Sequence, residues 1–149
     1  MAHSGPQAIL LDTNVFVAAV RHPLRETATY RFLVSLLTRD DVRLVANEVL
    51  AEEYIRYAEA FPSPTASALL SALLSRVTLV RVQERFIAAC GPFLRSADAS
   101  DRVHAATCLQ EGAVLVSNDR DFDPLRKAGL IEVRRVSEAL RRWPPPEGR

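Results

Sequence analysis

Four acidic side chains set the chemistry open to this sequence: Asp12, Glu52, Asp101 and Asp119. Asp12 ends a short apolar run, Ala8 to Leu11, of the kind that forms a strand buried on both faces of a parallel sheet. Asp119 lies just past a second such run, Val114-Leu115-Val116-Ser117. Functional sites in open parallel sheets lie beyond the carboxyl ends of the strands, so these two strands, if neighbours, deliver carboxylates to one edge. Glu52 falls in the helix after the second expected strand, and Asp101 opens the helix before the strand of Asp119. An Asp in a first helical turn also complements the helix dipole, so Asp101 has a structural explanation beside the functional one. Asp98 and Asp121 thicken the cluster.

Close carboxylates raise one another's pKa and cost stability unless a cation occupies the centre. Oxygen-only ligands favour Mg²⁺ or Mn²⁺ over zinc. A cation so held activates water and stabilises the charge that builds as a phosphodiester is attacked, which makes phosphodiester hydrolysis the expected chemistry. His3, His22 and His104 show no ligand spacing and read as surface or packed residues. Cys90 and Cys108 lie far apart without a CxxC partner, so two reduced, packed thiols are expected rather than a zinc or redox site.

The elements that must position these acids follow from periodicity and punctuation. After the first strand, Asn14 to Val20 and Leu24 to Thr38 read as helices separated by His22 and Pro23. Val42 to Ala46 reads as a strand, and Asn47 caps a helix running toward Ala60. Ala66 to Leu74 reads as a helix, Val77 to Val82 as a β-branched strand, and Glu84 to Leu94 as a helix interrupted near Gly91 and Pro92. Ser100 is the expected cap of a helix from Asp101 to Gln110, with Gly112 just past its end and a strand over Ala113 to Ser117. A short helix over Leu125 to Ala128, a strand over Ile131 to Val136 and a helix over Ser137 to Trp143 complete the pattern. Strands alternating with helices predict one three-layer α/β/α domain over 1–149, with about five parallel strands and flexible ends at 1–7 and 144–149.

Length and composition agree with one soluble globular domain: 149 residues, 48% apolar and 25% charged. The net charge of +1 supplies no bulk attraction for nucleic acid, so any basic surface must come from local placement. Lys127 is the only lysine; the other basic residues are arginines, whose planar fork suits phosphate oxygens, although many fall on helix faces that should simply be solvated. Met1 to Gln7 carries no basic region ahead of a long apolar stretch, and no apolar run approaches membrane-spanning length, so a cytoplasmic protein with no membrane partner is expected.

The segment Ile9-Leu10-Leu11-Asp12-Thr13-Asn14-Val15 resembles the opening strand motif of the PIN-domain family, typified by the toxins of bacterial and archaeal toxin-antitoxin pairs. The resemblance implies that Asp12 is the first metal ligand, supported by Thr13 and Asn14. Asn47-Glu48-Val49-Leu50-Ala51-Glu52 is similar to the second motif and implies Glu52 as the helix acid, with Glu48 next in rank; Glu53, immediately after, leaves the register open. Asp98-Ala99-Ser100-Asp101-Arg102-Val103-His104-Ala105-Ala106 resembles the third motif, with Asp101 as its acid. Val116-Ser117-Asn118-Asp119-Arg120-Asp121-Phe122 resembles the last, with Asp119 as the fourth acid, Ser117 where the family often has Thr, and Asn118 where many relatives carry Gly. Asp121 and Asp98 are further candidate metal ligands. The resemblance implies a Mg²⁺- or Mn²⁺-dependent endoribonuclease, a homodimer, and a small antitoxin partner that fills the acidic groove.

Two enzyme alternatives stay open at this point: an RNA-processing or quality-control nuclease outside any toxin pair, and a receiver- or phosphatase-like α/β protein. The second fits less well, because its chemistry wants a lysine near the phosphoryl group and Lys127 follows the last acid too closely. A catalytically silent binding module is the third alternative, opposed by the complete acidic quartet. Contact with RNA would rest on arginines near the motifs, with Arg21, Arg25, Arg102 and Arg120 as candidates. Phe16 and Tyr54 could stack on bases but fit core positions better.

Overall fold

The computed structural model describes residues 5–95 and 98–147, so His3 and the outermost parts of the ends expected to be flexible lie outside the described residues. Along the chain run β1 (Gln7–Leu11), α1 (Thr13–Val20), α2 (Ala28–Leu36), β2 (Val42–Ala46), α3 (Glu48–Ala60), α4 (Pro64–Arg76), β3 (Thr78–Leu79) and α5 (Glu84–Cys90). There follow α6 (Ala99–Glu111), β4 (Val114–Val116), α7 (Asp123–Ala128), β5 (Val133–Arg134) and α8 (Val136–Arg142), with 3₁₀ turns at Gly91–Phe93 and Arg120–Phe122.

The five strands form one parallel sheet in the order β3-β2-β1-β4-β5. The chain therefore builds outward from β1 to β3, then returns to the other side of β1. Right-handed crossovers place the helices of those two halves on opposite faces, which gives the expected three-layer α/β/α arrangement. The reversal of direction lies between β1 and β4, whose carboxyl ends open the crevice where ligands bind in sheets of this kind. In register Ile9 faces Val114 and Leu11 faces Val116, so Asp12 and Ser117 follow side by side. Strands covered on both faces need apolar side chains on both, and Ala8 to Leu11 and Val114 to Val116 are all buried.

Caps explain where helix limits depart from the periodicity. The second helix starts later than Leu24, because the Thr27 hydroxyl accepts from the Tyr30 N–H at 3.1 Å. Residues 21–26 form an exposed turn in which Leu24 is 99% exposed. The α4 helix starts earlier than Ala66, because Ser63 caps it and Pro64 occupies the first turn, where a missing N–H costs nothing. Asp98, not Ser100, is the capping position of α6, and Ser100 lies inside the first turn. At the other end Gly112 adopts φ +65°, which a residue with a Cβ would adopt only under strain. The expected Val77–Val82 strand shrinks to the exposed edge pair Thr78 and Leu79, and Ile131–Val136 shrinks to Val133 and Arg134.

Two contacts lock the α1–α3 layer onto the end of β1. The Tyr54 hydroxyl, fully buried, donates to the Leu11 carbonyl, the last one before Asp12. Burial pushes that hydroxyl well above its ordinary pKa, so it stays a donor. Its ring packs at 5.5 Å from Phe16, and both aromatics are core residues rather than stacking platforms. Among the described residues no helix is long and apolar enough to cross a membrane.

Candidate active site

Asp12 is the last residue before α1 and its N-cap, with extended backbone angles of φ −61° and ψ 155°. Its Oδ1 accepts from the Thr13 N–H at 2.8 Å and its Oδ2 from the Ser117 hydroxyl at 2.6 Å. Ser117 in turn accepts from the Asn14 amide at 3.3 Å and from the Asp119 N–H at 3.0 Å. The side chain of Ser117 thus joins the ends of β1 and β4 and sets the spacing of the two aspartates. Burial raises the Asp12 pKa; the bonds from Ser117 and Thr13 and the nearby His104 oppose that rise without cancelling it.

Asp101, Asp119 and Asp121 each present a carboxylate oxygen within 4.8 Å of the others. Asp119 accepts from the Asp121 N–H at 2.9 Å, which tightens the 3₁₀ turn and holds both acids on the same lip. Asp101 sits in the first turn of α6, and its pKa is raised to about 6, first by burial and then by the charges of Asp12 and Asp119. Asp12 and Asp119 therefore act on Asp101 from two strand ends, as the parallel sheet predicts. Among the described residues none of Asp12, Asp101, Asp119 and Asp121 is ion-paired with an arginine or lysine. Asp98 lies exposed just before α6 and contributes only a weak charge to Asp101.

The helix acid is where placement departs from expectation. Glu52 and Glu48 are exposed, and the carboxylate turned into the site is that of Glu53. Its Oε1 accepts from the Thr13 hydroxyl at 3.1 Å and meets His104 Nε2 at 2.7 Å. Burial pushes its pKa up, but His104 and Thr13 outweigh that and leave it below the ordinary glutamate value. Helix geometry supplies the reason. Each residue advances about 100° around the axis, so Glu53 lies about 60° from Leu50 and Glu52 about 160°. The buried stripe Leu50, Tyr54 and Ala58 marks the inner face, and that stripe was legible in the sequence.

His104, expected to be a surface or packed side chain, is 1% exposed and fully engaged. Its Nδ1 lies 3.1 Å from the Asn47 amide nitrogen, which also donates to the Thr107 hydroxyl at 3.0 Å. The signal for it was the i, i+3 spacing to Asp101, which puts both on one face of α6.

The four candidate arginines are placed differently. Arg21, Arg25 and Arg120 are exposed, the last between two acids of the cluster, while Arg102 Nε donates to the Leu94 carbonyl at 3.3 Å. Asn118 serves the scaffold, since its Oδ1 accepts from the Val136 N–H at 3.1 Å and holds the start of α8. Asn14 Oδ1 is buried with no hydrogen-bond partner, although such groups ordinarily find one.

The donor set suits a hard divalent cation. It offers only oxygen, none of its aspartates is ion-paired with an arginine or lysine among the described residues, and it includes the orphaned Asn14 oxygen beside Ser117.

Solved structures with this fold include VapBC2 from Rickettsia felis bound to a DNA fragment from its promoter, at 17% identity and TM-score 0.62, covering 87% of this chain and 98% of that one. VapBC-1 from nontypeable Haemophilus influenzae matches at 16% identity and TM-score 0.62, with the same coverage. FitAcB from Neisseria gonorrhoeae matches at 22% and 0.54, covering 85% and 96%. No curated protein matches the sequence significantly. The sequence model described as PIN domain matches residues 9–128, and with that span the chain belongs to the PIN-domain family of nucleases.

Proposed function

We propose that this protein is a Mg²⁺- or Mn²⁺-dependent endoribonuclease and the toxin of a toxin-antitoxin pair. The observation that carries the reading is the convergence of Asp12, Asp101 and Asp119 at the β1–β4 reversal with no arginine or lysine paired to them among the described residues. In this reading Asp12, Asp101 and Asp119 hold the metal, with Asp121 at the rim, and Glu53 takes the helix-acid role that the motif suggested for Glu52. A divalent ion bound there supplies Lewis-acid charge for the phosphodiester and lowers the pKa of water. Ser117 and Thr13 orient Asp12 through the hydrogen bonds described above. Arg21, Arg25 and Arg120, exposed near the motifs, attract the RNA backbone.

Support for a partner protein comes from the two-component names of the similar structures, VapBC2 and VapBC-1, and from the motif resemblance to toxins of such pairs. A homodimer acting in the cytoplasm belongs to the same reading. The test is cleavage of a mixed set of labelled single-stranded and structured RNAs with Mn²⁺ or Mg²⁺. Cleavage that EDTA, Asp12→Asn and Asp119→Asn each abolish supports the proposal. A folded wild-type protein that binds neither ion overturns it.

A further inference from the structure

Glu53 is held through one oxygen. Both of its hydrogen bonds, from the Thr13 hydroxyl and from His104 Nε2, end on Oε1, and neither uses Oε2. The ring that makes the shorter bond is itself fixed from behind. Asn47 Oδ1 accepts from the Leu50 N–H at 2.8 Å, which settles which end of the amide is nitrogen. Both amide protons are then committed, one to His104 Nδ1 and one to the Thr107 hydroxyl, which donates onward to the Val103 carbonyl. An imidazole whose Nδ1 accepts must carry its proton on Nε2 if it is to donate to a carboxylate.

A packed histidine could satisfy itself on any nearby carbonyl. This one is buried, aligned by a residue that also caps α3, and aimed at the only α3 acid that turns inward. We infer that His104 is a positioning residue: held as the Nε2–H tautomer by Asn47, it fixes the Glu53 carboxylate beside Asp12 through Oε1 and leaves Oε2 free to serve a divalent cation bound at that edge. The inference rests on the metal-site reading above. Its chemistry is that of an outer hydrogen bond that orients a ligand, and loss of such bonds typically weakens metal binding 10- to 100-fold.

The test measures Mn²⁺ affinity by calorimetry on wild type, Asp12→Asn, Glu53→Gln, His104→Leu, His104→Gln and the Glu53→Gln/His104→Leu double variant. Folding is checked by melting, and the ring tautomer of wild type is read from long-range ¹H–¹⁵N spectra. The expected results are an Nε2–H ring and affinity about tenfold or more weaker in His104→Leu. His104→Gln, which keeps an N–H donor, should stay within about threefold of wild type. The double variant should be no weaker than Glu53→Gln alone, because the two residues act as one unit.

Wild-type affinity in folded His104→Leu, additive losses in the double variant, or an Nδ1–H ring would each overturn the role. Should His104→Leu not fold, an Nδ1–H ring or a His104→Gln variant tenfold weaker than wild type decides against it. Failure of the metal site looks different: wild type binds no Mn²⁺, or Asp12→Asn leaves binding unchanged. If Asp12→Asn abolishes binding and His104→Leu does not move it, only the positioning role falls.

Discussion

Two acidic regions of this molecule meet opposite fates. Around β5 and α8 every acid has an arginine: Glu138 is bonded by Arg126 at 2.6 Å, Glu132 by Arg134 and Arg142, and Asp123 by Arg135. There the Arg126 guanidinium and the Arg135 N–H pull the Glu138 pKa down to about 2. At the β1–β4 edge Asp12 and Asp101 face other carboxylates, and burial together with those charges pushes Asp101 up to about 6. The same functional group is paired with arginine in one place and, among the described residues, left without an arginine or lysine partner in the other.

Removing charge at each region separates them most strongly. Asp12→Asn and Asp119→Asn should each lower metal-dependent cleavage at least about 100-fold while the melting temperature holds or rises, because repulsion is relieved. Unchanged cleavage rates in either variant would remove the catalytic meaning of the cluster. Next in size, Glu53→Gln should lose about tenfold or more, whereas Glu52→Gln stays within about twofold of wild type; the reverse ranking would restore the motif-based assignment.

Acidity divides the two regions as well. The folded pKa of Asp101 lies above its ordinary 3.8, so its contribution to stability is full below that value and is lost as pH rises through about 6. Metal-free protein should therefore gain stability from Asp101→Asn at pH 7 and not at pH 4. For the same reason Mn²⁺ affinity should fall by up to about tenfold per pH unit below 6 as a proton competes for that site. Glu138 runs the other way: its contribution is present above 4.5 and is lost as pH falls toward 2. Glu138→Gln carries the smallest effect, lowering the melting temperature by roughly 2 °C near neutral pH without touching cleavage, since exposed ion pairs are screened. A cleavage defect in that variant would show that the β5–α8 corner is more than scaffold.

Much of the sheet could be read directly, because strands buried on both faces must be continuously apolar and helices must show caps and an inward stripe. Val42–Ala46 and the Asn47 cap appear where the residues place them. Edge elements were harder. Thr78 and Leu79 are exposed, so β-branched composition over Val77 to Val82 carried no record of where pairing stops. Thr27 and Ser63 decided helix starts that periodicity alone had set wrongly, since a side-chain cap depends on one hydroxyl and not on a pattern.

Residue order alone dictated which strands could be buried and that Asp12 and Asp119 stand at the carboxyl ends of two of them. Packing was needed to make β1 and β4 neighbours, because parallel pairing is non-local and leaves no local signature. Packing also turned Glu53 rather than Glu52 inward, since that choice depends on how α3 is rotated by the Tyr54 bond to Leu11. The Asn47–His104–Glu53 chain joins residues 57 and 51 positions apart, and only packing of α3 against α6 brings their polar atoms within hydrogen-bond reach.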